Sequence, residues 1–574
     1  MKYVVVTGGV ISGVGKGTIA SSIGLLLKTT GLKVTMIKID PYMNVDAGTM
    51  APAEHGECFV LADGGEVDLD LGNYERYLNV TLTSEHSITT GKIYDHVIKR
   101  ERKGDYLGKT VQVIPHLTDA IQEWIQRVAS IPVDETFEAP DVCVIELGGT
   151  VGDIENGPFV EALGQLKRRA GKCDYLHIHV SLIPIVQGEQ KTKPTQQAIR
   201  TVRSAGLNPD LIACRCADKL DTLTIDKVAN YCQVNPDQVI AVVDVASTYL
   251  VPVVLEAQGL IPSMSSILGL QSIDTPLERI ERGARRWASW KTLTAPPNHP
   301  KAVTIALVGK YTRSLDAYMS LVKALQHATM AYKRKLDLVL VDASHLESPL
   351  ASTPSSKTAE YESAWRKVCA AQGILVPGGF GARGTEGMIE AAKYARENKI
   401  PFLGICLGMQ IAVIEFARNV CGLSGANSVE LDPETLNPVI INMPELDRSK
   451  LGGTMRLGER PTHFQPGSGA WSKARAVYTS CNPQQTCDHN SDELVIRERH
   501  RHRYEVNPSY IETLAGHGLE FVGKDEKSER MEILELRDHP WFVGVQFHPE
   551  YQSKVLDPSK SIMGFVAASA GCQQ

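Results

Sequence analysis

At 574 residues the chain is too long for one ordinary core, so two or more domains are expected. Hydrophobic content of 43% against 22% charged predicts a soluble globular chain, and a formal net charge of -6 argues against a nucleic-acid partner, which demands a basic face. The 12 cysteines are scattered with no C-x-x-C pair, which points away from a disulfide frame or zinc site and towards reduced, mostly buried thiols in a cytosolic protein.

In chain order, the first informative stretch is 4–18. Val4, Val5 and Val6 read as a buried strand, a glycine-rich turn follows, and Lys16 stands where a helix through Leu27 begins. Strand, glycine loop and Lys at a helix start can hold a polyphosphate: backbone N–H groups close around the oxygens and the helix dipole adds to the attraction. The spacing departs from the usual Gly-x4-Gly-Lys-Ser/Thr, with Val10 and Gly17 out of pattern and the hydroxyl at Thr18. The alternative is a glycine-rich turn that binds nothing.

Further apolar strands are predicted at 33–40, 142–145, 175–180, 211–214 and 239–243, with helices such as Thr118 to Val128 between some of them. Near-continuous apolar strands alternating with helices predict a parallel sheet covered on both faces, with ligands beyond the carboxyl ends of the strands. Glu146 ends one strand, and Asp70 lies in the acidic stretch 63–72. A nucleoside triphosphate needs Mg²⁺, and Mg²⁺ needs one or two carboxylates, so both are candidate ligands; a solvated acidic loop is the alternative for Asp70. Lys191, Thr192, Lys193 and Gln196 form a candidate second phosphate corner, against the plainer reading of an exposed basic turn before a helix.

Three prolines within 296–300 mark a domain boundary after a helical stretch 277–290. A second α/β unit follows, with strands at 303–308, 338–341 and 373–376. The most apolar window, 400–417, is broken by Gly404, Gly408, Gln410 and Glu415, so no membrane span is expected. No signal peptide is read before Val4, and no repeat is visible. Gly404-Ile405-Cys406-Leu407-Gly408 has the form of a nucleophile elbow with cysteine in place of serine, where a helix N-terminus favours the thiolate. The strand ending in Phe547-His548-Pro549-Glu550 supplies a base and its orienter. His177, His179, His500 and His502 lack that arrangement and read as core or surface histidines. The stretch 462–493, with Cys481 and Cys487, reads as a variable surface loop.

Taken together, Ser12 to Thr18, Asn44 to Met50, His55-Gly56-Glu57, Asp68 to Gly72, Glu146 to Glu155 and Lys191 to Gln196 resemble the synthetase half of the CTP synthase family. The elbow with His548 and Glu550 resembles a class I glutamine amidotransferase. The resemblance implies two doubly wound α/β domains: a P-loop-type amidoligase at 1–275, a linker at 276–301, a flavodoxin-like amidotransferase at 302–565 and a tail at 566–574. It implies that ATP phosphorylates the 4-oxygen of UTP and that ammonia from glutamine displaces the phosphate to give CTP. By the same resemblance Ser12, Gly13, Val14, Gly15, Lys16, Gly17, Thr18 and Lys38 handle ATP, and Asp70 and Glu146 hold Mg²⁺. Lys191, Thr192, Lys193 and Gln196 contact UTP, and Asp153, Ile154 and Glu155 contact CTP acting as feedback inhibitor. Cys406, His548 and Glu550 hydrolyse glutamine; Gly379 and Leu407 donate to the oxyanion, and Gln410, Glu430 and Arg503 hold the substrate. Phe380, Arg383 and Arg456 are placed at the site of GTP, the activator. A cytoplasmic homotetramer able to polymerise further, without nucleic acid or membrane, is the implied setting.

Two other enzyme types compete. A cobyrinate-type amidoligase is disfavoured by the His-Pro-Glu ending and by 191–196, and GMP synthase carries its amidotransferase first. A partitioning ATPase would place a lysine where Ile11 stands and would not need Cys406.

Overall fold

A computed structural model describes all residues except 10, 298–299, 349–354, 445–454, 480–493 and 573–574. Cys481 and Cys487 fall among the residues not described. The chain forms two compact units, Met1–Ala47 with Asp70–Ala295 and Gly48–Leu69 with Pro296–Gln574.

In the first unit the valine run lies in strand Lys2–Gly8, near the middle of a seven-stranded sheet. The order across it is Val239–Val243, Leu211–Cys216, Tyr175–Leu182, Lys2–Gly8, Val142–Leu147, Val34–Asp40, Ser87–Thr89. Every neighbouring pair is parallel. Helices cover both faces, which is why Val4, Val5, Val6, Met36, Ile37, Val144 and Ile145 are all buried without alternation. The long helix Leu277–Thr294 belongs to this unit instead of bridging out of it. Its Trp290 is fully buried, donates to the Tyr249 carbonyl at 3.0 Å and packs against Tyr77 at 5.2 Å. Gly283 allows close approach, since a Cβ there would lie 2.3 Å from the Thr29 carbonyl oxygen.

The second unit is built on a nine-stranded sheet. Lys335–Asp342, Ala302–Gly309, Gly373–Val376, Phe402–Ile405 and Phe542–Val545 run parallel. Met531–Leu536, Leu519–Lys524, Arg456–Phe464 and Val495–His502 extend it antiparallel. Side chains alternate between two cores: Ile374, Val376 and Phe402 enter one, Leu375, Leu403 and Ile405 the other.

Besides helix Leu277–Thr294, the organisation differs from that expected in three further places. Segment Gly48–Leu69 packs within the second unit: Glu57 accepts from the Ser320 N–H at 2.7 Å, Arg499 Nη1 donates to the Val60 carbonyl at 3.1 Å, and the Glu459 N–H donates to Ala62 at 2.9 Å. The last helix, Lys560–Ser569, buries Val566 and Ala567, so 566–569 is core and not tail. The stretch 462–493 is not a plain loop. It completes strand Arg456–Phe464 and contains helix Lys473–Thr479, where Glu535 accepts from the Lys473 N–H at 2.9 Å. No single helix among the described residues is long and apolar enough to cross a membrane.

Candidate active sites

In the first unit the glycine turn leads into helix Lys16–Thr29, and Gly15, at φ 103°, sits just before it. Positive φ at Gly13 and Gly15 is cheap only for glycine, and it lets the loop curl back over the helix start. Lys16 lies across Gly8, where a Cβ would stand 2.7 Å from its Cδ, and its ammonium donates to the Gly149 carbonyl at 2.8 Å. Ser12 and Gly13 are exposed at the lip, Val14 is buried, and Gly15, Gly17 and Thr18 are half-buried.

Register brings the charges together. Lys38 on Val34–Asp40 is the partner of Glu146 on Val142–Leu147, and its Nζ lies 3.2 Å from Glu146 Oε1 and 3.6 Å from Asp40 Oδ1. Lys38 also bonds to Asp70, which stands in the first turn of helix Leu69–Leu78 and not in a loop. The Asp70 carboxylate hangs over Gly17, where a Cβ would meet its Oδ1 at 2.4 Å. Tyr74, on the same helix, donates to Glu146. Burial opposes the charge on Lys38, but Asp40, Asp70 and Glu146 outweigh it and hold the ammonium well above its usual range. Burial, with the Asp70 charge, pushes Glu146 up against the pull of Lys38, whereas Lys38 and Lys16 hold Asp70 down despite its burial. The Lys16 ammonium, by contrast, is lowered by burial and by Lys38. Two hard carboxylates already bridged by a cationic nitrogen are a donor set that suits Mg²⁺.

Asp40 and Tyr74 were missed in the sequence reading. Asp40 had a signal, since it stands two residues after Lys38 on one strand face; Tyr74 had none. Helix Lys193–Ser204 abuts the glycine turn, with Ala198 Cβ 2.9 Å from a Cβ placed on Gly9 and Thr201 Cγ2 2.6 Å from one on Gly152. Thr192 is buried and accepts from Gln196 Nε2 at 3.1 Å, Lys193 is exposed, and Lys191 pairs with Glu189. Asp153, Ile154 and Glu155 form an exposed turn beyond strand Val142–Leu147, with Asp153 Oδ2 capping the Thr150 N–H at 3.1 Å. His177 Nε2 and His179 Nδ1 share the Thr7 hydroxyl at 2.8 Å each, and burial keeps both rings neutral.

In the second unit Cys406 stands between strand Phe402–Ile405 and helix Leu407–Asn419 at φ 52°, a conformation costly for any residue but glycine. The turn closes because its neighbours lack side chains. A Cβ on Gly408 would lie 2.0 Å from the Val376 carbonyl oxygen, and one on Gly404 would lie 2.5 Å from that of Gly408. His548 and Glu550 join it, with Nδ1 2.7 Å from Glu550 Oε1. Gly378 brings base and thiol side by side, since a Cβ there would stand 3.5 Å from Cys406 Cβ and 3.6 Å from His548 Nε2. Burial works to lower the His548 pKa, but the Glu550 carboxylate and the Cys406 thiol raise it, to about 10. That direction favours the imidazolium form.

Cys406, His548 and Glu550 open into a cavity lined also by Gly379, Phe380, Arg501 and Tyr551, and by Pro52, Glu57 and Cys58 of the docked segment. Glu430 Oε1 accepts from the Gly381 N–H at 2.9 Å, and Lys310 donates to the carbonyls of Phe380 and Gly381. The glycine loop is thus pinned at Phe380 and Gly381. Gln410 is buried, donating to Tyr504 at 3.2 Å and to Gln546 at 3.3 Å; Arg503 is half-buried where Val495–His502 turns into Tyr504–Val506. Leu407 opens the helix after the cysteine. Phe380 is exposed with the Arg501 guanidinium 5.4 Å from its ring, and Arg383 pairs with Asp342 at 3.1 Å. Arg456 is not brought beside them by any contact: it pairs with Glu532 at 3.2 Å, in a buried group with His500 and His502, whose facing nitrogens are 3.1 Å apart. Both histidines belong to the core. Arg501 and Tyr551 are pocket residues to which the sequence reading gave no role, and Pro52, Glu57 and Cys58 line this pocket although His55-Gly56-Glu57 was grouped with the synthetase half.

The family profile for the CTP synthase N-terminus matches residues 2–270, and that for class-I glutamine amidotransferases matches 314–568. CTP synthase of Schizosaccharomyces pombe is 61% identical over 572 residues, covering 100% of this chain and 92% of that protein. CTP synthase of Candida glabrata is 59% identical over 574 residues, covering 100% and 96%. Among solved structures, the Trypanosoma brucei CTPS glutaminase domain with bound acivicin is 37% identical, covers 47% of this chain and 95% of that chain, and superposes with a TM-score of 0.41.

Proposed function

The chain belongs to the CTP synthase family, and on that premise we propose that it aminates UTP to CTP, driven by ATP, with ammonia released from glutamine. The observation that carries the reading is the presence in one chain of both halves of that chemistry. A phosphate loop with Lys38 between two carboxylates sits in one unit, and a strained Cys406 with a His548–Glu550 pair sits in the other.

For glutamine, the Cys406 thiolate adds to the side-chain amide carbon and the oxygen turns towards the N–H groups of Gly379 and Leu407. The C–N bond breaks as the nitrogen takes the Nε2 proton of His548 and leaves as ammonia. Water then cleaves the thioester to glutamate and restores the thiol. Gln410, Glu430 and Arg503 hold the amino acid, Arg503 by pairing with its α-carboxylate.

For UTP, the 4-oxygen attacks the terminal phosphorus of ATP and ADP departs; ammonia then adds at C4 and phosphate is expelled. Ser12 to Thr18 cradle the ATP phosphates, and Lys16 and Lys38 neutralise charge on the transferring group. Asp70 and Glu146 would hold Mg²⁺, which when bound screens the phosphate oxygens. Lys191, Thr192, Lys193 and Gln196 take UTP. Phe380 and Arg383 take the GTP activator, which Arg456 could join only by leaving Glu532. The working form is a cytoplasmic homotetramer able to polymerise further.

The reading is tested by product analysis with ATP, UTP and glutamine, with and without GTP. CTP, ADP, phosphate and glutamate are expected in equal amounts, more rapidly with GTP. Glutamate formed without CTP would leave only the glutaminase half standing. Feedback has its own test. Glu155 is exposed on the turn beside the phosphate site, and we propose that it contacts the cytosine side of bound CTP. Glu155→Lys is expected to weaken inhibition by CTP about tenfold, roughly the effect of one lost polar contact, with less change in the UTP requirement. Equal losses for both nucleotides would show a shared site.

A further inference from the structure

The glutaminase reading of Cys406, His548 and Glu550 gives no part to Tyr551, although Tyr551 touches the base. Its ring lies 5.0 Å from the His548 imidazole, centroid to centroid, with 17° between the planes, and both side chains are buried. A stacked aromatic neighbour limits how the imidazole can turn, and its electron-rich face favours the charged ring. Two other directions are closed as well. Glu550 holds Nδ1 at 2.7 Å, and Gly378 runs so close that a Cβ there would stand 2.8 Å from Cε1. That leaves Nε2 for the thiol.

The far end of Tyr551 is engaged too. Its hydroxyl donates to the Cys58 carbonyl at 3.1 Å, and Phe59 packs edge-on against its ring at 5.2 Å. Cys58 and Phe59 belong to segment Gly48–Leu69, which is held by Glu57 on Ser320 and by Arg501 on Glu66 at 2.9 Å. The segment continues directly into Asp70.

We propose that Tyr551 is a positioning residue for His548: its ring sets the plane of the base, and its hydroxyl makes that plane depend on the docking of Gly48–Leu69. The proposal rests on the glutaminase reading. The groups around the pair are Glu550 and Cys406 on His548, His500 and His502 on the neighbouring strand, and Arg501, Glu57 and Cys58 around Tyr551. Loss of the aromatic face removes a contact that favours imidazolium. It therefore lowers the pH at which His548 gives up the proton needed by the leaving nitrogen.

The test is glutamine hydrolysis by the full-length protein across its alkaline limb, for Tyr551→Leu and Tyr551→Phe. Tyr551→Leu is expected to cut kcat/KM about a hundredfold, the scale of general acid–base assistance, and to move the limb to lower pH. Tyr551→Phe keeps the stack, so the limb stays in place while kcat/KM falls about five-fold through the lost hydroxyl bond. A parent rate and parent limb in Tyr551→Leu overturn the proposal. If Tyr551→Leu does not fold, Tyr551→Phe decides: a reduced rate on an unmoved limb supports the proposal, and a parent rate or a shifted limb overturns it. Cys406→Ala run alongside separates the two readings. Continued hydrolysis there sinks the glutaminase reading itself, whereas an inactive Cys406→Ala beside parent-like Tyr551 variants removes only the positioning role.

Discussion

Cys406→Ala is expected to end glutamine-dependent CTP formation, by about 10⁴-fold or more as for other lost nucleophiles, while ammonia-dependent formation continues near the parent rate. The thioester route needs a sulfur at the elbow, and alanine supplies none. Lys16, Lys38, Asp70 and Glu146, to which the proposed reading gives the synthetase chemistry, lie in the other unit and are untouched by the change. Alanine also keeps the Cβ, so the tight turn between Gly404 and Gly408 gains no new clash. A thiol that only fills core space predicts a different result. Its removal would cost stability and lower both activities together, or neither. The measurement is the ratio of glutamine-dependent to ammonia-dependent synthesis, with the thermal transition as control. A parent-like ratio would remove Cys406 from the mechanism.

Lys16→Ala is expected to lower CTP formation about a hundred- to a thousandfold from either nitrogen source, the usual scale for one preorganised charge at a transition state. In the proposed mechanism phosphoryl transfer to UTP precedes the use of ammonia, so free ammonia is not expected to rescue the variant. The same substitution removes the bond to the Gly149 carbonyl and empties the space above Gly8. A modest loss of stability accompanies the kinetic one, and the thermal transition separates them. Glutaminase activity measured alone should persist, because Cys406 and His548 stand in the other unit. Near-normal ammonia-dependent synthesis would mean that the glycine loop is not the ATP site.

The amino-acid order by itself determined whatever depends on backbone geometry over a few residues. Gly13 and Gly15 are legible because a tight βα turn needs positive φ, and Gly404 and Gly408 because the elbow leaves no room for a Cβ. The parallel sheets are legible because strands buried on both faces carry unbroken apolar runs. His548 and Glu550 are legible because two residues apart on one chain suffice to pair them.

Tertiary structure decided the rest, because packing selects partners that no local pattern names. The Lys38–Glu146 pairing depends on the register of two strands more than a hundred residues apart, and Asp70 joins them from a helix that the acidic composition disguised as a loop. Segment Gly48–Leu69 reads as part of the first half, yet its buried Phe59 and Glu66 find their partners Tyr551 and Arg501 in the second unit. Arg456 is placed at the activator site by family resemblance alone, whereas in the fold its partner is the buried Glu532 carboxylate. An uncompensated buried charge costs several kcal/mol, roughly the scale of broken buried pairs, so desolvation and not motif decides where such a residue points.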